Sequence, residues 1–338
     1  MQGLNITKIK KWVVDELWYN NNPLCWFLLP LSLVYYVVVV LRRSFLKLFC
    51  QQKFNVPIIV VGNLTVGGVG KTPLVIELAN KFKAENLRVG IVSRGFGSDL
   101  GNYPFDVNLN ETEIYMGDEP LLLAKKTNCP VVIAPKRADA VKYLIDKYQS
   151  QIIISDDGLQ HYAMGRAIEI VVIDGHRGLG NGMLLPAGPL RESKSRLKKA
   201  DFIVVNGENH RLLKVNKNTY RMDLLPGDIR NLISDKAIKV AKIKGLIAAV
   251  AAIGNPQRFF ATLKGLGLEF NPYPFLDHHR FKAEDLNLDE EIIVMTEKDA
   301  VKCVSIATDN MYYLPVEAKV ENSFWDKLLA HSKLQGNI

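Results

Sequence analysis

Apolar residues along this chain fall into short continuous runs, and segments with helical spacing lie between some of them. The runs are Val56–Val61, Arg88–Val92, Val131–Ala134, Ile152–Ser155, Ile168–Ile173 and Phe202–Val205. Residues 73–85 and 137–147 have the spacing of helices that bury one face. Because strands that are apolar throughout are covered on both faces, the pattern predicts an α/β fold with a mostly parallel sheet flanked by helices.

A polar stretch then interrupts this pattern and predicts a domain boundary. Residues 207–235 are expected to link a domain at 54–206 to a second, smaller C-terminal α/β domain at 236–338. The elements predicted there are strands at Leu246–Ile253 and Glu291–Thr296 and helices at Pro256–Leu266 and Asn322–Ser332. A chain of 338 residues is long enough for two domains of roughly 100–200 residues each.

The region 1–53 predicts an N-terminal membrane helix. Residues 24–41 carry no charge, and as a helix they would extend about 27 Å, close to the roughly 30 Å of a hydrocarbon core. The basic residues that follow are Arg42, Arg43, Lys47 and Lys53. They favour a cytoplasmic location for the rest of the chain. Pro30 lies inside the run, so a kinked or monotopic insertion is an alternative, and a buried core helix is another.

Net charge narrows the possible partners, and cysteine usage indicates the compartment and the absence of a zinc site. The chain has 43 Lys and Arg against 35 Asp and Glu, and the net charge of +8 favours anionic partners: phosphates, nucleic acid or an acidic membrane face. No segment interleaves aromatic and basic residues, so a nucleic-acid ATPase is not favoured. The four cysteines are scattered, which fits a reducing compartment and provides no zinc site.

A glycine-rich segment directly after the first predicted strand is the strongest chemical signal. It consists of Thr65, Val66, Gly67, Gly68, Val69, Gly70, Lys71 and Thr72. Only Thr65 departs from the P-loop pattern G-x-x-x-x-G-K-[ST]. The glycines let backbone N–H groups surround phosphate oxygens, Lys71 would reach the β- and γ-phosphates, and Thr72 would hold Mg²⁺. The segment therefore predicts a site for ATP and Mg²⁺.

Two acidic segments supply carboxylates. Asp156 and Asp157 follow an apolar strand, from where a carboxylate organises the water shell of a metal ion; an Asp-Asp-Gly turn is the alternative. Which of the two serves the metal is left open. In Gly-Asp-Glu-Pro, Asp118 either caps a helix or acts as the base for an acceptor hydroxyl, and Glu119 could help to hold Mg²⁺.

The second domain contains a cluster of titratable residues. Asp277, His278 and His279 stand next to Arg280, an arrangement that favours an oriented acid–base group. Metal ligation by the two histidines is less favoured, because neighbouring side chains on a strand diverge. The segment 296–300 either caps a helix or contacts substrate or nucleotide.

Taken together and in this order, the motifs resemble those of the bacterial tetraacyldisaccharide 4′-kinase family, the lipid A 4′-kinases. The matching segments are Pro30–Arg43, Val61–Pro73, Ser93–Gly97, Gly117–Pro120, Ala134–Arg137, Ser155–His161, Leu184–Glu192, Gly254–Phe260, Leu276–Phe281 and Thr296–Asp299. They cover nearly the whole chain. The family itself departs from the P-loop formula at the position of Thr65, whereas Phe96 stands where Tyr is expected.

The resemblance implies transfer of the γ-phosphate of ATP to the 4′-hydroxyl of a tetraacyl disaccharide-1-phosphate, a late step of lipid A biosynthesis at the cytoplasmic face of the inner membrane. It makes Asp118 the catalytic carboxylate, His278 its partner, and Asp156 and Asp157 the metal-organising pair. The implied partners are this lipid A precursor and inner-membrane lipid, with no nucleic acid and no obligate protein partner.

Further side chains are predicted to contact the sugar or its phosphate. They are Arg94, Arg137, Gln160, His161, Arg177 and Arg191. The four arginines lie in loops that follow predicted strands or their extensions, the usual ligand edge of such a sheet. A membrane-associated P-loop ATPase that uses nucleotide as a switch is the alternative function. Such a protein has no use for a second domain that supplies Asp277 and His278.

Overall fold

The computed structural model describes residues 13–20, 22–95, 98, 100–109, 116–208, 218–243 and 245–334. Phe96, which departs from the expected family pattern, lies outside the described residues, and so do residues 209–217 of the predicted linker.

Strands and helices alternate through most of the described chain. The strands are β1 (Ile58–Gly62), β2 (Val89–Ser93), β3 (Phe105–Asp106), β4 (Val131–Ile133), β5 (Ile152–Asp156), β6 (Ile168–Asp174), β7 (Phe202–Asn206), β8 (Thr219–Pro226), β9 (Ile229–Asn231), β10 (Ala237–Ile238), β11 (Ile247–Ala251), β12 (Asn271–Pro274), β13 (Ile292–Thr296), β14 (Met311–Leu314) and β15 (Val316–Val320). The α-helices are α1 (Leu29–Phe49), α2 (Lys71–Ala84), α3 (Asp118–Thr127), α4 (Arg137–Tyr148), α5 (Pro256–Gly265), α6 (Glu297–Cys303) and α7 (Asn322–Leu329).

The larger sheet has the strand order β15-β8-β7-β6-β1-β5-β2-β4-β3. Neighbouring strands in this sheet are parallel except at the two edges. There β15 runs antiparallel to β8, and β3 runs antiparallel to β4. Every residue of β1 is buried, as expected for a strand covered on both faces. Apolar side chains of α2, α3 and α7 pack on one face and those of α4 on the other. The predicted α/β class is confirmed.

The smaller sheet has the order β10-β9-β14-β13-β11-β12. Strands β14, β13, β11 and β12 are parallel, and β9 and β10 add two antiparallel pairings. Helix α5 packs on one face through Phe259, Phe260 and Leu263. Helix α6 packs on the other through Ala300 and Cys303. The second domain is therefore also a sheet between helices.

The domain boundaries differ from the predicted ones. The proposed linker 207–235 contains β8, which pairs with β7 in the larger sheet, and β9, which belongs to the smaller one. The C-terminal end of the chain returns to the larger sheet, because β15 pairs with β8. Phe324 of α7 is buried there against Phe202 and Tyr220. The range 236–338 therefore does not form one domain, and two adjacent chain crossings connect the two sheets.

The strand order brings the predicted motifs to one edge. Strand β1 lies between β5 and β6, and the P-loop follows its carboxyl end. Because parallel strands end at the same edge, Arg94 after β2, Asp156 at the end of β5 and Asn206 at the end of β7 border the same opening.

Helix α1 lies with one face along the larger domain. Ser32 Oγ donates to the carbonyl of Leu184 (3.0 Å), and Tyr35 Oη donates to the carbonyl of Arg191 (3.1 Å). The other face exposes a stripe of large apolar side chains. The stripe comprises Leu31, Leu33, Val34, Val37, Val38, Leu41, Phe45, Leu48 and Phe49. The stretch Pro23–Phe49 is long and apolar enough to cross a membrane and is mostly exposed, which indicates membrane association.

The helix begins and ends later than the predicted helix at 24–41. Residues Pro23–Leu28 form a 3₁₀ turn, and Pro30 lies in the first turn of α1. A proline there lacks an N–H that would have no helical partner in any case, so Pro30 is no reason to expect a kink. The helix continues past the basic residues because they find contacts on the domain: Arg43 lies 3.7 Å from Glu192.

Replacing Val38 and Leu41, both more than half exposed, with Glu is expected to weaken binding to phospholipid vesicles at least about tenfold, since charge replaces apolar surface that enters lipid. The unfolding temperature should stay unchanged because neither side chain packs inside the protein. Vesicle co-sedimentation measures the effect, with Ile233→Glu plus Val304→Glu, two equally exposed positions of the smaller domain, as the control. Wild-type co-sedimentation of the α1 variant would contradict a membrane role for the stripe.

Candidate active site

A cavity of about 730 Å³ lies between the two domains at the carboxyl edge of the larger sheet. The P-loop residues 66–72 line it on one side. Gly254, Arg258 and His278 of the smaller domain line the opposite side, and Tyr35 of α1 also contributes. One cavity is therefore shared by the P-loop, the second domain and the apolar helix.

The P-loop is held in place by an asparagine that follows β1. Asn63 is fully buried, and its Nδ2 donates to the carbonyls of Thr65 (2.7 Å) and Gly67 (3.2 Å). Lys71 Nζ donates to Asn63 Oδ1 at 3.2 Å. Thr65 itself is buried and lies outside the cavity wall, whereas residues 66–72 form part of it. Asn63 was not predicted from the sequence; its only signal is a polar residue at the end of a central strand.

A second unpredicted asparagine supports the end of the loop. Asn206 Nδ2 donates to the carbonyl of Val69 at 2.9 Å, and Asn206 Oδ1 accepts from Arg258 Nη2 at 2.7 Å. Gly70 has a φ of 90°, and a Cβ there would collide with the Asn206 amide, so no other residue fits. Through Arg258 of α5, the smaller domain is connected to the P-loop.

The smaller domain also approaches the P-loop backbone directly. A Cβ built on Gly254 would lie 2.7 Å from the backbone nitrogen of Gly68. Arg177 Nη1 donates to the carbonyl of Gly254 at 3.5 Å, and its guanidinium lies over the ring of Tyr19. Arg177 was predicted to contact the sugar phosphate; in the structure it lies outside the cavity wall and bridges to the smaller domain.

The two adjacent aspartates have different surroundings. Asp157 lies 3.4 Å from Lys71 Nζ and 3.3 Å from Arg191 Nη1. Burial alone would raise the pKa of Asp157, but these cations hold it below its usual range. Asp156 is fully buried, and its Oδ1 has no hydrogen-bond partner among the described residues. Burial, reinforced by the charge of Glu119, raises the pKa of Asp156 to about 7.

The donor set fits Mg²⁺. Asp156, whose buried Oδ1 is orphaned, and Thr72, at the start of α2, both line the cavity. Mg²⁺ keeps several waters and takes few protein ligands, so it does not need the three-residue acidic or histidine cluster that is absent from the described residues. Glu119, another predicted metal residue, also lines the cavity, where it is paired with Lys298 Nζ at 2.9 Å.

Asp118 and His278 are brought together from different domains. His278 Nδ1 lies 3.1 and 3.0 Å from the two carboxylate oxygens of Asp118. Asp118 is 1% exposed, and Lys298 and Lys302 lie 3.7 and 3.9 Å from its Oδ2. His278 has a φ of 61°, a conformation that costs energy and that surrounding contacts must maintain.

The contact between Asp118 and His278 shifts the pKa of both residues. Burial alone would raise the pKa of Asp118, but the hydrogen bond to His278 and the two lysine charges lower it. Burial alone would lower the pKa of His278, but the hydrogen bond and charge of Asp118 raise it above 6.5. His278 lines the cavity, and Asp118 does not. The neighbouring His279 lies 3.0 Å from Asp285 and stacks on Phe275, outside the cavity wall.

The segment after β13 caps a helix, and it also borders the cavity. Thr296 caps α6 by accepting from the backbone N–H of Asp299 at 3.1 Å. Lys298 lines the cavity, where Glu119, Asp118 and Asp277 surround its ammonium group. Burial alone would lower the pKa of Lys298, but these carboxylates raise it.

The other predicted substrate residues all border the cavity, but Arg137 is buried and makes structural hydrogen bonds. The cavity wall includes Arg94, Gln160, His161 and Arg191. Burial and the charge of Arg137 lower the pKa of His161 to about 3, which keeps its ring neutral. Arg137 also borders the cavity but is buried, and its Nη1 donates to the carbonyl of Asp156 and to Ser155 Oγ. Its hydrogen bonds therefore secure the end of β5.

The chain is similar to known proteins in both sequence and structure. The family model described as tetraacyldisaccharide-1-P 4′-kinase matches residues 24–333. A tetraacyldisaccharide 4′-kinase of Legionella pneumophila (strain Corby) is 55% identical over 323 residues, covering 96% of this chain and 98% of that protein. One of Haemophilus influenzae (strain 86-028NP) is 44% identical, covering 92% and 96%.

A solved structure agrees. The crystal structure of LpxK from Aquifex aeolicus in complex with ATP is similar with a TM-score of 0.74 and 28% identity. It covers 92% of this chain and 99% of that one. The predicted family is confirmed: this chain belongs to the tetraacyldisaccharide 4′-kinase family.

Proposed function

We propose that this protein transfers the γ-phosphoryl group of ATP to the 4′-hydroxyl of a tetraacyl disaccharide-1-phosphate at the cytoplasmic face of the inner membrane. The observation that carries the proposal is the shared cavity: the P-loop, His278 and the apolar helix α1 all line it. A lipid held by its acyl chains beside α1 would present its sugar to the nucleotide. Family membership supports this substrate class.

ATP binds along the P-loop with its base between the domains. Apolar side chains in the cavity wall suit a purine. They include Ile76, Leu224, Phe259, Leu314 and Val316. Lys71, fixed by Asn63 and Asp157, contacts the terminal phosphates, and the N-terminus of α2 adds its dipole. Thr72 and Asp156 would hold Mg²⁺, which would neutralise phosphate charge.

His278 takes the proton of the acceptor hydroxyl. Asp118 cannot do so directly, because it is buried behind the imidazole and its pKa is lowered, which makes it a weak base. Asp118 instead accepts the Nδ1–H of His278, so that Nε2, which lies 3.7 Å from Oδ1 of the cavity-lining Asp277, is left without a proton. This reverses the order of roles that the sequence suggested for the two residues.

Membrane attachment places the acceptor. Helix α1 lies on the domain rather than apart from it, and we propose that its exposed stripe enters the inner leaflet while its inner face borders the cavity. The net charge of +8 suits an anionic leaflet and a phosphorylated sugar. A nucleotide switch is not favoured, because the proton-accepting pair between the domains would have no role in it.

With γ-labelled ATP and detergent-dispersed acceptors, label is expected to move to tetraacyl disaccharide-1-phosphate. It should not move to a protein, and little should be released as free phosphate. Thin-layer separation of the lipid products measures the transfer. Release of labelled phosphate alone, with every lipid acceptor unlabelled, would contradict the proposal and favour an ATPase.

Replacing Lys71 with Met is expected to lower kcat roughly 10²–10³-fold, because a cation that stabilises charge on the transferred group is lost. Lys81→Met is the matched control: Lys81 lies on the same helix but in an exposed pair with Glu85. A Lys71 variant that turns over at the control's rate would rule out the P-loop assignment.

Replacing His278 with Gln is expected to lower kcat roughly 10²–10⁴-fold, while His279→Gln, the matched control, keeps most of the activity. The neutral imidazole is the active form, so the rate should fall as pH drops through the raised pKa of His278. Asp118→Asn removes the charge that raises this pKa, and the acidic limb should move to lower pH. Profiles of kcat/KM against pH test this. An acidic limb that stays in place in Asp118→Asn would refute the assignment.

A further inference from the structure

We propose that Lys302 is a positioning residue for phosphoryl transfer: it lies outside the cavity and holds the Asp118 carboxylate in the orientation that aligns His278. The inference rests on the proposed function, in which His278 takes the proton of the acceptor hydroxyl. Lys302 belongs to α6 of the smaller domain, whereas Asp118 begins α3 of the larger one. Its Nζ lies 3.9 Å from Asp118 Oδ2.

Burial makes this cation depend on its carboxylate neighbours. The side chains of Lys302 and Asp118 are each 1% exposed, and that of Asp299 is fully buried. Lys302 Nζ lies 2.6 Å from Asp299 Oδ1, one helical turn earlier, and its ammonium lies over the ring of Phe281. Because an uncompensated charge is costly in such surroundings, the ammonium stays between the two carboxylates.

Asp299 is a rigid support for this arrangement. Its Oδ2 accepts from the backbone N–H of Ala252 (2.9 Å) and from Thr296 Oγ1 (2.6 Å). With Oδ2 fixed by these two donors, Oδ1 points at Lys302. The lysine is therefore anchored by an ion pair within the smaller domain, and its ammonium lies across the domain interface from Asp118.

Lys298 does not provide the same restraint. Its ammonium lines the cavity and is shared among Glu119 (2.9 Å), Asp118 (3.7 Å) and Asp277 (4.0 Å). A phosphate entering the cavity competes with these carboxylates for Lys298, whereas it cannot reach the buried Lys302. When substrates bind, Lys302 is thus the lysine that stays on Asp118.

Restraint of the Asp118 carboxylate orients the imidazole ring of His278. Asp118 Oδ1 also accepts from the backbone N–H of Glu119 at 3.0 Å, while the charge of Lys302, 3.9 Å from Oδ2 and without a hydrogen bond to it, attracts the other oxygen. With both oxygens restrained, the carboxylate keeps the Nδ1 of His278 directed at itself. Without Lys302, Asp118 and Asp299 repel each other and the carboxylate can rotate.

The experiment compares Lys302→Met and Lys302→Arg with Lys126→Met. Lys126 is the matched control, because it joins the same two helices through Glu297 (2.9 Å). Lys302→Met is expected to lower kcat for the lipid acceptor roughly 10- to 100-fold with the KM for ATP within about twofold, as for other groups that orient a reacting residue. Lys302→Arg should recover part of this loss, and Lys126→Met should keep kcat within about threefold.

In Lys302→Met the buried charge of Asp299 loses its partner, which could prevent folding. A second variant avoids this problem. Lys302→Met combined with Asp299→Asn removes both members of this ion pair and is expected to show the same fall in kcat. In ¹⁵N-histidine-labelled protein, the Nδ1–H resonance of His278, assigned with His278→Gln, should move upfield and broaden in this variant. It should stay in place in Lys126→Met.

The outcomes separate the two proposals. Wild-type kcat in the double variant, or an unchanged His278 resonance, would overturn the role of Lys302 while transfer by the wild type and loss in His278→Gln still supported the proposed function. An equal loss of kcat in Lys126→Met would also overturn it, since the effect would then come from domain contact alone. Full activity in His278→Gln would remove both proposals together.

Discussion

The buried carboxylate of Asp118 is the constraint on which the arrangement of this protein depends. It lies in the larger domain, but the groups that compensate its charge, His278, Lys298 and Lys302, come from the smaller one. A buried charge without partners is costly. Contact between the domains and assembly of the Asp118–His278 pair are therefore one physical requirement, and the pair is complete only where the domains meet.

The same closeness of the domains shapes the nucleotide site. Gly254 leaves no room for a Cβ beside the P-loop nitrogen of Gly68, and Arg258 reaches the P-loop through Asn206. These contacts bring a wall of the smaller domain over the phosphate site, where exclusion of water favours transfer to a sugar over hydrolysis. On the far side, Tyr35 places the apolar helix at the mouth of the same cavity.

Local pattern predicted the strands and motifs of the larger domain well, because buried parallel strands are apolar throughout and the P-loop is a contiguous segment. It failed at β8 and β15. Strand β8 is half-exposed and lies in polar sequence, and β15 is assigned to the larger sheet only by its pairing with β8. The roles of Asn63, Asn206 and Lys302 were likewise missed, since each depends on a partner distant in the chain or on the path of a loop.

The sequence by itself determined the family, the nucleotide chemistry, the apolar helix and the residues from which the site is built, because these depend on contiguous motifs and on periodicity. Only the tertiary structure decided what each carboxylate does. Asp156 and Asp157 are neighbours, yet one has an orphaned buried oxygen and the other faces Lys71 and Arg191. Asp118 is hidden behind His278 for the same reason: the charge and the solvent around a side chain are set by segments that approach it from elsewhere in the fold.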